Sequence, residues 1–405
     1  MRQGRGVMMA ALLVLMSVAC ALAALTVLLM LLPDTLIGRT DWYTRFQAGQ
    51  EMAVEWRPSD GDIFAALPGR VRPPDDDGPY AAFTLRWDAQ GFREPAVPFE
   101  GAPIIAAFGD SFTEGFAVEY PWPDVLDAES GFTVSNYGFR AYGPVEVARA
   151  AREVLTGMSP APKVVLWGFF MGNDLGDALR PPRIDARNPL AAWSALIDNR
   201  LRGPAPTPTP RTGDDGQPQY DLPVPVIIGG SYYEMAFINY YGGWQQGAPG
   251  DFLASENLKI ASATLDAFDS ALPDETCRAL VLIPTKEALY TRYVYPSERQ
   301  FLRAANQRAV LDETGALVLV DAPVSDADEM AWLDAGFEGQ REALGLWIAS
   351  HPGWTLIDLT EAFAQRIAQG ELLYYPYDTH WNQAGHDLAA RVIADALEGM
   401  PECLP

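Results

Sequence analysis

Pro103-Ile104-Ile105-Ala106-Ala107-Phe108-Gly109-Asp110-Ser111-Phe112-Thr113-Glu114-Gly115 is the stretch that decides the fold. A short apolar run that ends at a glycine reads as a strand buried on both faces of a parallel sheet. The serine follows at once, on a glycine-flanked turn. Ligands of open parallel sheets collect beyond the C-terminal ends of the strands, so Ser111 stands where a cleft is expected. Backbone N–H groups that open the next helix can stabilise an anion there. A lone Gly-Asp-Ser is a common turn, and the strand before it is what gives this one weight.

Comparable runs recur at Phe132-Thr133-Val134-Ser135, Val164-Val165-Leu166-Trp167, Ala279-Leu280-Val281-Leu282-Ile283 and Thr355-Leu356-Ile357-Asp358. Helical periodicity separates them over Val145 to Leu155, Glu256 to Leu272, Glu298 to Leu311, Glu329 to Ile348 and Gln383 to Leu397. Strands that alternate with helices predict an α/β fold with a central parallel sheet. Five such strands suit a flavodoxin-like three-layer sandwich in the order 2-1-3-4-5. This domain is expected over residues 101–400, with a loop or lid insertion at 181–252. Pro204, Pro206, Pro208 and Pro210 mark the middle of that insertion as an extended linker. Its aromatic flank, Ser231 to Tyr241, reads either as cover for the sheet edge or as a lid or carbohydrate-stacking wall. Residues 34–100 read as a stalk and entry segment, with a loop at Pro73 to Pro79 and an edge strand at Phe83 to Trp87.

Val7 to Leu32 is apolar and carries no charge, which suffices for one transmembrane helix. Arg2 and Arg5 precede it, so residues 1–33 are expected to be a cytoplasmic tip and a signal anchor, with the rest exported. Three readings compete. A retained anchor is favoured because secretory apolar regions are shorter, roughly 7–15 residues. Cleavage after Ala21-Leu22-Ala23 and lipidation at Cys20 are the others.

The net charge of −24, from 53 acidic and 29 basic residues, argues against a nucleic-acid partner. Of three cysteines, Cys20 lies in the apolar run; Cys277 and Cys403 read equally as a bridge or as two free thiols. Their spacing fits no metal site.

A serine at neutral pH needs a base. The chain has three histidines. His351 sits in a turn before a strand, and His386 near the start of the last helix. His380 lies in Tyr377-Asp378-Thr379-His380-Trp381-Asn382, where one short loop can supply both the base and the carboxylate that orients it. Oxyanion donors are sought in two later turns: the Gly138 N–H in Asn136-Tyr137-Gly138, and the Asn173 amide in Gly172-Asn173-Asp174. Lys286-Glu287, after the fourth strand, reads as a solvated pair or as part of the cleft wall.

Taken together, Ser111, Gly138, Asn173 and His380 resemble the four ordered blocks of the SGNH, or GDSL-type, hydrolases. The resemblance spans roughly residues 100 to 400. It implies Ser111, His380 and Asp378 as catalytic residues, Gly138 and Asn173 as oxyanion donors, and neither metal nor cofactor. It further implies esterase, lipase or carbohydrate O-acetyl chemistry; with the apolar N-terminal run, the expectation is a membrane-tethered serine esterase acting on small acyl, foremost acetyl, esters of a cell-surface glycan. Two positions depart from the pattern: Met171 replaces the usual glycine of the third block, and Asp378 stands two rather than three residues before the histidine. The Asp-Thr-His-Trp-Asn form resembles SGNH proteins that acetylate or deacetylate exopolysaccharides, so O-acyl transfer is the alternative to hydrolysis. A non-catalytic glycan-binding domain is the third reading.

Overall fold

The computed structural model describes residues 2–32, 42–43, 49–57, 80–180, 184–185, 193–194, 196–197, 200–201, 223–400 and 402–404. The chain divides into two compact units, Met1–Arg45 with Arg180–Arg211, and Phe46–Leu179 with Thr212–Pro405. The proline-rich middle of the expected insertion and the expected loop at Pro73 to Pro79 lie outside the described residues.

In the first unit one helix spans Arg2–Leu31. Its 20-residue segment Leu12–Leu31 has a mean hydropathy of 2.7 and is almost wholly exposed. At 1.5 Å per residue such a segment reaches about 30 Å, the thickness of a bilayer's hydrocarbon core. The last carbonyls of a helix lack intrahelical partners. Arg200 supplies them here, donating from Nε to Leu29 O at 3.0 Å and from NH2 to Leu32 O at 2.8 Å. A cation at that end also meets the negative pole of the helix dipole.

The second unit is built on a parallel sheet of five strands: β1 Ile105–Gly109, β2 Val134–Gly138, β3 Val164–Phe170, β4 Cys277–Ile283 and β5 Trp354–Asp358. Their order is β2-β1-β3-β4-β5, the expected one. Every residue of β1 and β3 is buried, as continuous apolar runs covered on both faces must be. Alternate residues serve opposite layers. Ile105 and Ala107 join a core with Leu126 of α1 (Trp122–Ser130) and Ile393 of α6 (Gln383–Glu398). On the other face Phe108 meets Phe268 of α3 (Glu256–Ala271) at 5.2 Å between ring centroids. Trp167 lies 6.4 Å from Trp347 of α4 (Gly339–Ala349). Together with α2 (Pro144–Leu155) and α5 (Thr360–Ala368), these helices complete a three-layer sandwich. Because all five strands run the same way, Gly109, Gly138, Phe170 and Ile283 end on one side of the sheet.

Three local expectations are corrected. The second strand runs to Gly138, so that glycine closes the strand instead of following it. The helix expected over Glu298 to Leu311 stops at Ala304, and Gln307–Leu311 pairs antiparallel with Leu317–Asp321. Turn chemistry wins there: Asp312 Oδ1 accepts from the N–H groups of Thr314 and Ala316, and Gly315 adopts a positive φ of 84°. The helix expected over Glu329 to Ile348 is broken near Gly336 into Glu329–Ala335 and α4.

The edge strand expected near Phe83 runs over Ala81–Arg86 and pairs antiparallel with Glu51–Trp56. The aromatic flank of the expected insertion is divided: Phe237 is buried, Tyr233 and Tyr241 are half-buried, and Tyr232 and Tyr240 are exposed. Val224–Ile228 and Ser231–Met235 form a hairpin around Gly229-Gly230, and Val226, Ile228, Met235 and Phe237 are buried in the core. Tyr232, 63% exposed, is left outside. Cys277 and Cys403 form a disulfide that ties the start of β4 to the end of the chain.

His386 packs the last helix onto the first. It is buried, and its Nδ1 accepts the Trp122 N–H at 3.1 Å. Burial, then the Arg93 charge, hold its pKa well below the ordinary histidine value of 6.5. Between that lowered value and about 6.5 the unfolded chain binds the extra proton, so this contribution to stability is lost as pH falls below about 6.5. Asp110 and Asp124 work in the opposite direction, because burial raises both. His386→Phe leaves both carboxyls in place, and so isolates the histidine. It is expected to cost about 1–3 kcal/mol near neutral pH, where the Trp122 N–H is left unpaired. That cost should shrink by about pH 5. Urea unfolding of both chains at the two pH values checks it, and a difference that grows on acidification contradicts it.

Candidate active site

The turn that carries Ser111 is shaped by close backbone approach. A Cβ on Gly109 would lie 2.2 Å from Thr113 Oγ1, and one on Gly138 would lie 2.4 Å from Glu114 N. Only glycines let the ends of β1 and β2 close on the turn. Asp110 caps the one-turn helix Ser111–Glu114, its Oδ1 accepting the Phe112 N–H at 2.9 Å. Burial pushes the Asp110 carboxyl up to about 7, against the lowering effect of that N–H. Behind the turn the buried Arg93 guanidinium donates to the carbonyls of Glu114, Gly115, Val118 and Glu119. Nothing in the local sequence around Arg93 signals this bracing role.

The loop between α5 and α6 comes back over the same end of the sheet. His380 Nε2 lies 2.7 Å from Ser111 Oγ. On the other side of the ring, His380 Nδ1 lies 2.5 Å from Asp378 Oδ1, which also accepts the His380 N–H at 2.8 Å. Two nitrogens separated by one ring thus connect a hydroxyl to a buried carboxylate, the geometry in which an imidazole can take a proton from serine while its charged form is stabilised. Phe112 and Phe116 flank the ring, each with its centroid 4.9 Å away, and shield it from water. Arg140 covers Phe116 from outside, 4.9 Å above its ring, and is paired with the buried Glu114.

The other two histidines are elsewhere. His351 binds Trp347 O through Nδ1 at 2.7 Å, at the N-terminal end of β5 and hence the opposite end of the sheet. His386 is occupied by Trp122.

The two expected oxyanion donors differ in state. The Gly138 N–H already donates to Asn136 Oδ1 at 3.0 Å, and the Asn136 side chain in turn donates to Thr113 O at 2.7 Å. Gly138 therefore serves the packing of the turn in this arrangement. Asn173, half-buried, precedes the short helix Asp174–Ala178, and its Oδ1 is buried without a hydrogen-bond partner among the described residues. Three residues beyond Gly138, Ala141 holds a left-handed φ of 61°, unusual without glycine. Lys286 and Glu287, expected either as a solvated pair or as cleft wall, are both buried. Beside the histidine loop lies a cavity of about 630 Å³, lined in part by Tyr80, Phe83, Glu119, Tyr120, Tyr375 and Gln383. Among the described residues no cluster of three or more His, Cys, Asp or Glu is arranged to hold a metal ion.

No curated protein matches the sequence. Among solved structures, a member of the lipolytic G-D-S-L family from Veillonella parvula is similar at 14% identity and a TM-score of 0.32, over 73% of this chain and 97% of that one. A carbohydrate esterase family 2 enzyme with a carbohydrate-binding domain, from Corynascus thermopiles (Myceliophthora fergusii), is similar at 11% identity and a TM-score of 0.33, over 90% and 98%. The salicylyl-acyltransferase SsfX3 of a tetracycline biosynthetic pathway is similar at 13% identity and a TM-score of 0.29, over 75% and 58%. Residues 345–404, which carry Asp378 and His380, match the family described as SGNH hydrolase-like domain, acetyltransferase AlgX. That match falls on the histidine block, and the strand order of the sheet is the one that the resemblance to the SGNH hydrolases leads one to expect.

Proposed function

We propose that the chain is a membrane-tethered serine acyl hydrolase that removes small acyl groups, acetyl foremost, from a cell-surface glycan. The continuous Ser111–His380–Asp378 hydrogen-bond chain carries this reading. His380 Nε2 takes the Ser111 proton as Oγ bonds to the acyl carbon. The oxyanion is held by the Ser111 N–H and the Asn173 amide; the Gly138 N–H joins them by exchanging Asn136 for the substrate oxygen. The ester C–O bond breaks, and His380 returns the proton to the leaving alcohol. Water then attacks the acyl-enzyme, losing its proton to His380, and the acid leaves with Ser111 restored.

The match to an acetyltransferase family favours a second reading, in which a sugar hydroxyl replaces that water. For location, the apolar Leu12–Leu31 segment supports a retained anchor. The Cys277–Cys403 disulfide suits an oxidising, extracytoplasmic compartment.

The test uses the full chain in detergent. An aryl acetate is expected to be hydrolysed, and a protein that releases no aryl alcohol is not this enzyme. Offered an acetyl donor with and without a glycan acceptor, a hydrolase releases the same acetate in both. A transferase diverts the acetyl group to the sugar. An intact N-terminus on protein that stays in carbonate-washed membranes supports the anchor, and a mature start inside the apolar run refutes it.

A further inference from the structure

We propose that Lys286 is the positioning residue of this site, its buried ammonium holding in place the loop that carries Asp378 and His380. The inference rests on the catalytic reading above. Lys286 opens the short helix Lys286–Tyr290 just beyond the end of β4, and its side chain is shut away from solvent. An ammonium has three N–H donors and no acceptor. Three carbonyls of a single loop receive them: Asp378 O at 2.7 Å, Pro376 O at 3.2 Å and Tyr375 O at 3.3 Å. The Phe237 ring lies 5.8 Å from Nζ on another side, a cation–π contact in a desolvated place.

Burying an ammonium is strongly unfavourable unless it is fully hydrogen-bonded. A loop of this length could satisfy its carbonyls with water. What the lysine adds is position: it holds the main chain of Asp378, while the Asp378 carboxylate holds the imidazole. The neighbouring Glu287 does the same for the insertion, accepting the Ile238 N–H at 2.8 Å. Tyr374 adds a third tie to the same strand end, donating from its hydroxyl to Pro284 O at 2.6 Å. The segment after β4 is thus the platform on which the histidine loop stands. In this role Lys286 acts through Asp378.

The experiment compares Lys286→Met, which keeps the stem and removes charge and donors, with Lys286→Arg, which keeps both. Each is made in the full chain and in an Asp378→Ala background. For aryl acetate, Lys286→Met is expected to lower kcat about 10–100-fold with KM within about twofold, and to slow fluorophosphonate labelling of Ser111 in parallel. Lys286→Arg should recover most of that loss. In the Asp378→Ala background the Met substitution should cost no more than about threefold, because its effect passes through the missing carboxylate. The low-field proton resonance of the His380–Asp378 hydrogen bond should weaken or shift in Lys286→Met while the melting temperature shows a folded chain. An equal loss in both backgrounds, or an unchanged resonance and rate in a folded Lys286→Met, overturns the proposal. If Lys286→Met does not fold, Lys286→Arg decides: a rate and resonance near wild type support the role, and a lost resonance in a folded Arg chain refutes it. A wild-type chain that the probe does not label, yet whose resonance still responds to Lys286, strikes the catalytic reading and leaves the positioning role standing.

Discussion

Ser111→Ala is expected to abolish ester turnover, by roughly 10⁴-fold or more, in a chain that still folds. The reason is chemical and local. Ser111 Oγ is the atom 2.7 Å from His380 Nε2, and alanine leaves the imidazole with no proton to take. The turn itself does not depend on that hydroxyl. Asp110 supplies the cap, Gly109 and Gly138 supply the close approach, and Arg93 braces the carbonyls behind it. The melting temperature should therefore stay close to that of the parent. Aryl acetate hydrolysis by the purified variant, with active-site titration by a fluorophosphonate on the parent, measures the effect. Turnover near the parent's rate would remove Ser111 from the mechanism, whatever the geometry around it.

The second large effect concerns the base. His380→Ala is expected to be as damaging as Ser111→Ala, and the double variant hardly worse than either, because a nucleophile and its base act as one unit. His351→Ala should retain most activity. It sits at the other end of the sheet, with its Nδ1 on Trp347 O. The four purified variants and the parent, assayed on one substrate, decide it. Multiplicative losses in the double variant, or an essential His351, would show that proton transfer runs by another route. His386 is a poor control here, since its loss unpairs the buried Trp122 N–H and lowers stability for reasons unrelated to chemistry.

Much of the architecture was legible because its signals are local. Continuous apolar runs of strand length mark strands covered on both faces, and five of them at α/β spacing imply the observed order. The Asp378–His380 pairing could also be read locally, since two residues apart in one loop is a distance that the backbone itself bridges. Where local signals conflicted, the reading failed. Phe301, Leu302, Ala305 and Ala309 stand at helical spacing, but the Asp312–Gly315 turn and a partner strand beyond it made Gln307–Leu311 half of a hairpin.

The linear chain thus determined the α/β class, the strand order, the seat of Ser111 and the short Asp378–His380 unit. The class, the Ser111 turn and the Asp378–His380 unit follow from residue patterns within about ten positions, where strand period, turn chemistry and helix period act, and the strand order follows from the class they imply. Tertiary structure alone brought His380, already singled out as the candidate base, within 2.7 Å of Ser111 Oγ across 269 positions of sequence. It also decided that Cys277 meets Cys403 across 126. The same holds for the Gly138 N–H, which is engaged by Asn136, and for Lys286, which reaches the Asp378 carbonyl across 92. Periodicity carries no information about such partners. A buried donor or thiol takes whichever partner the packing of distant elements brings within reach, and that packing is a property of the whole core.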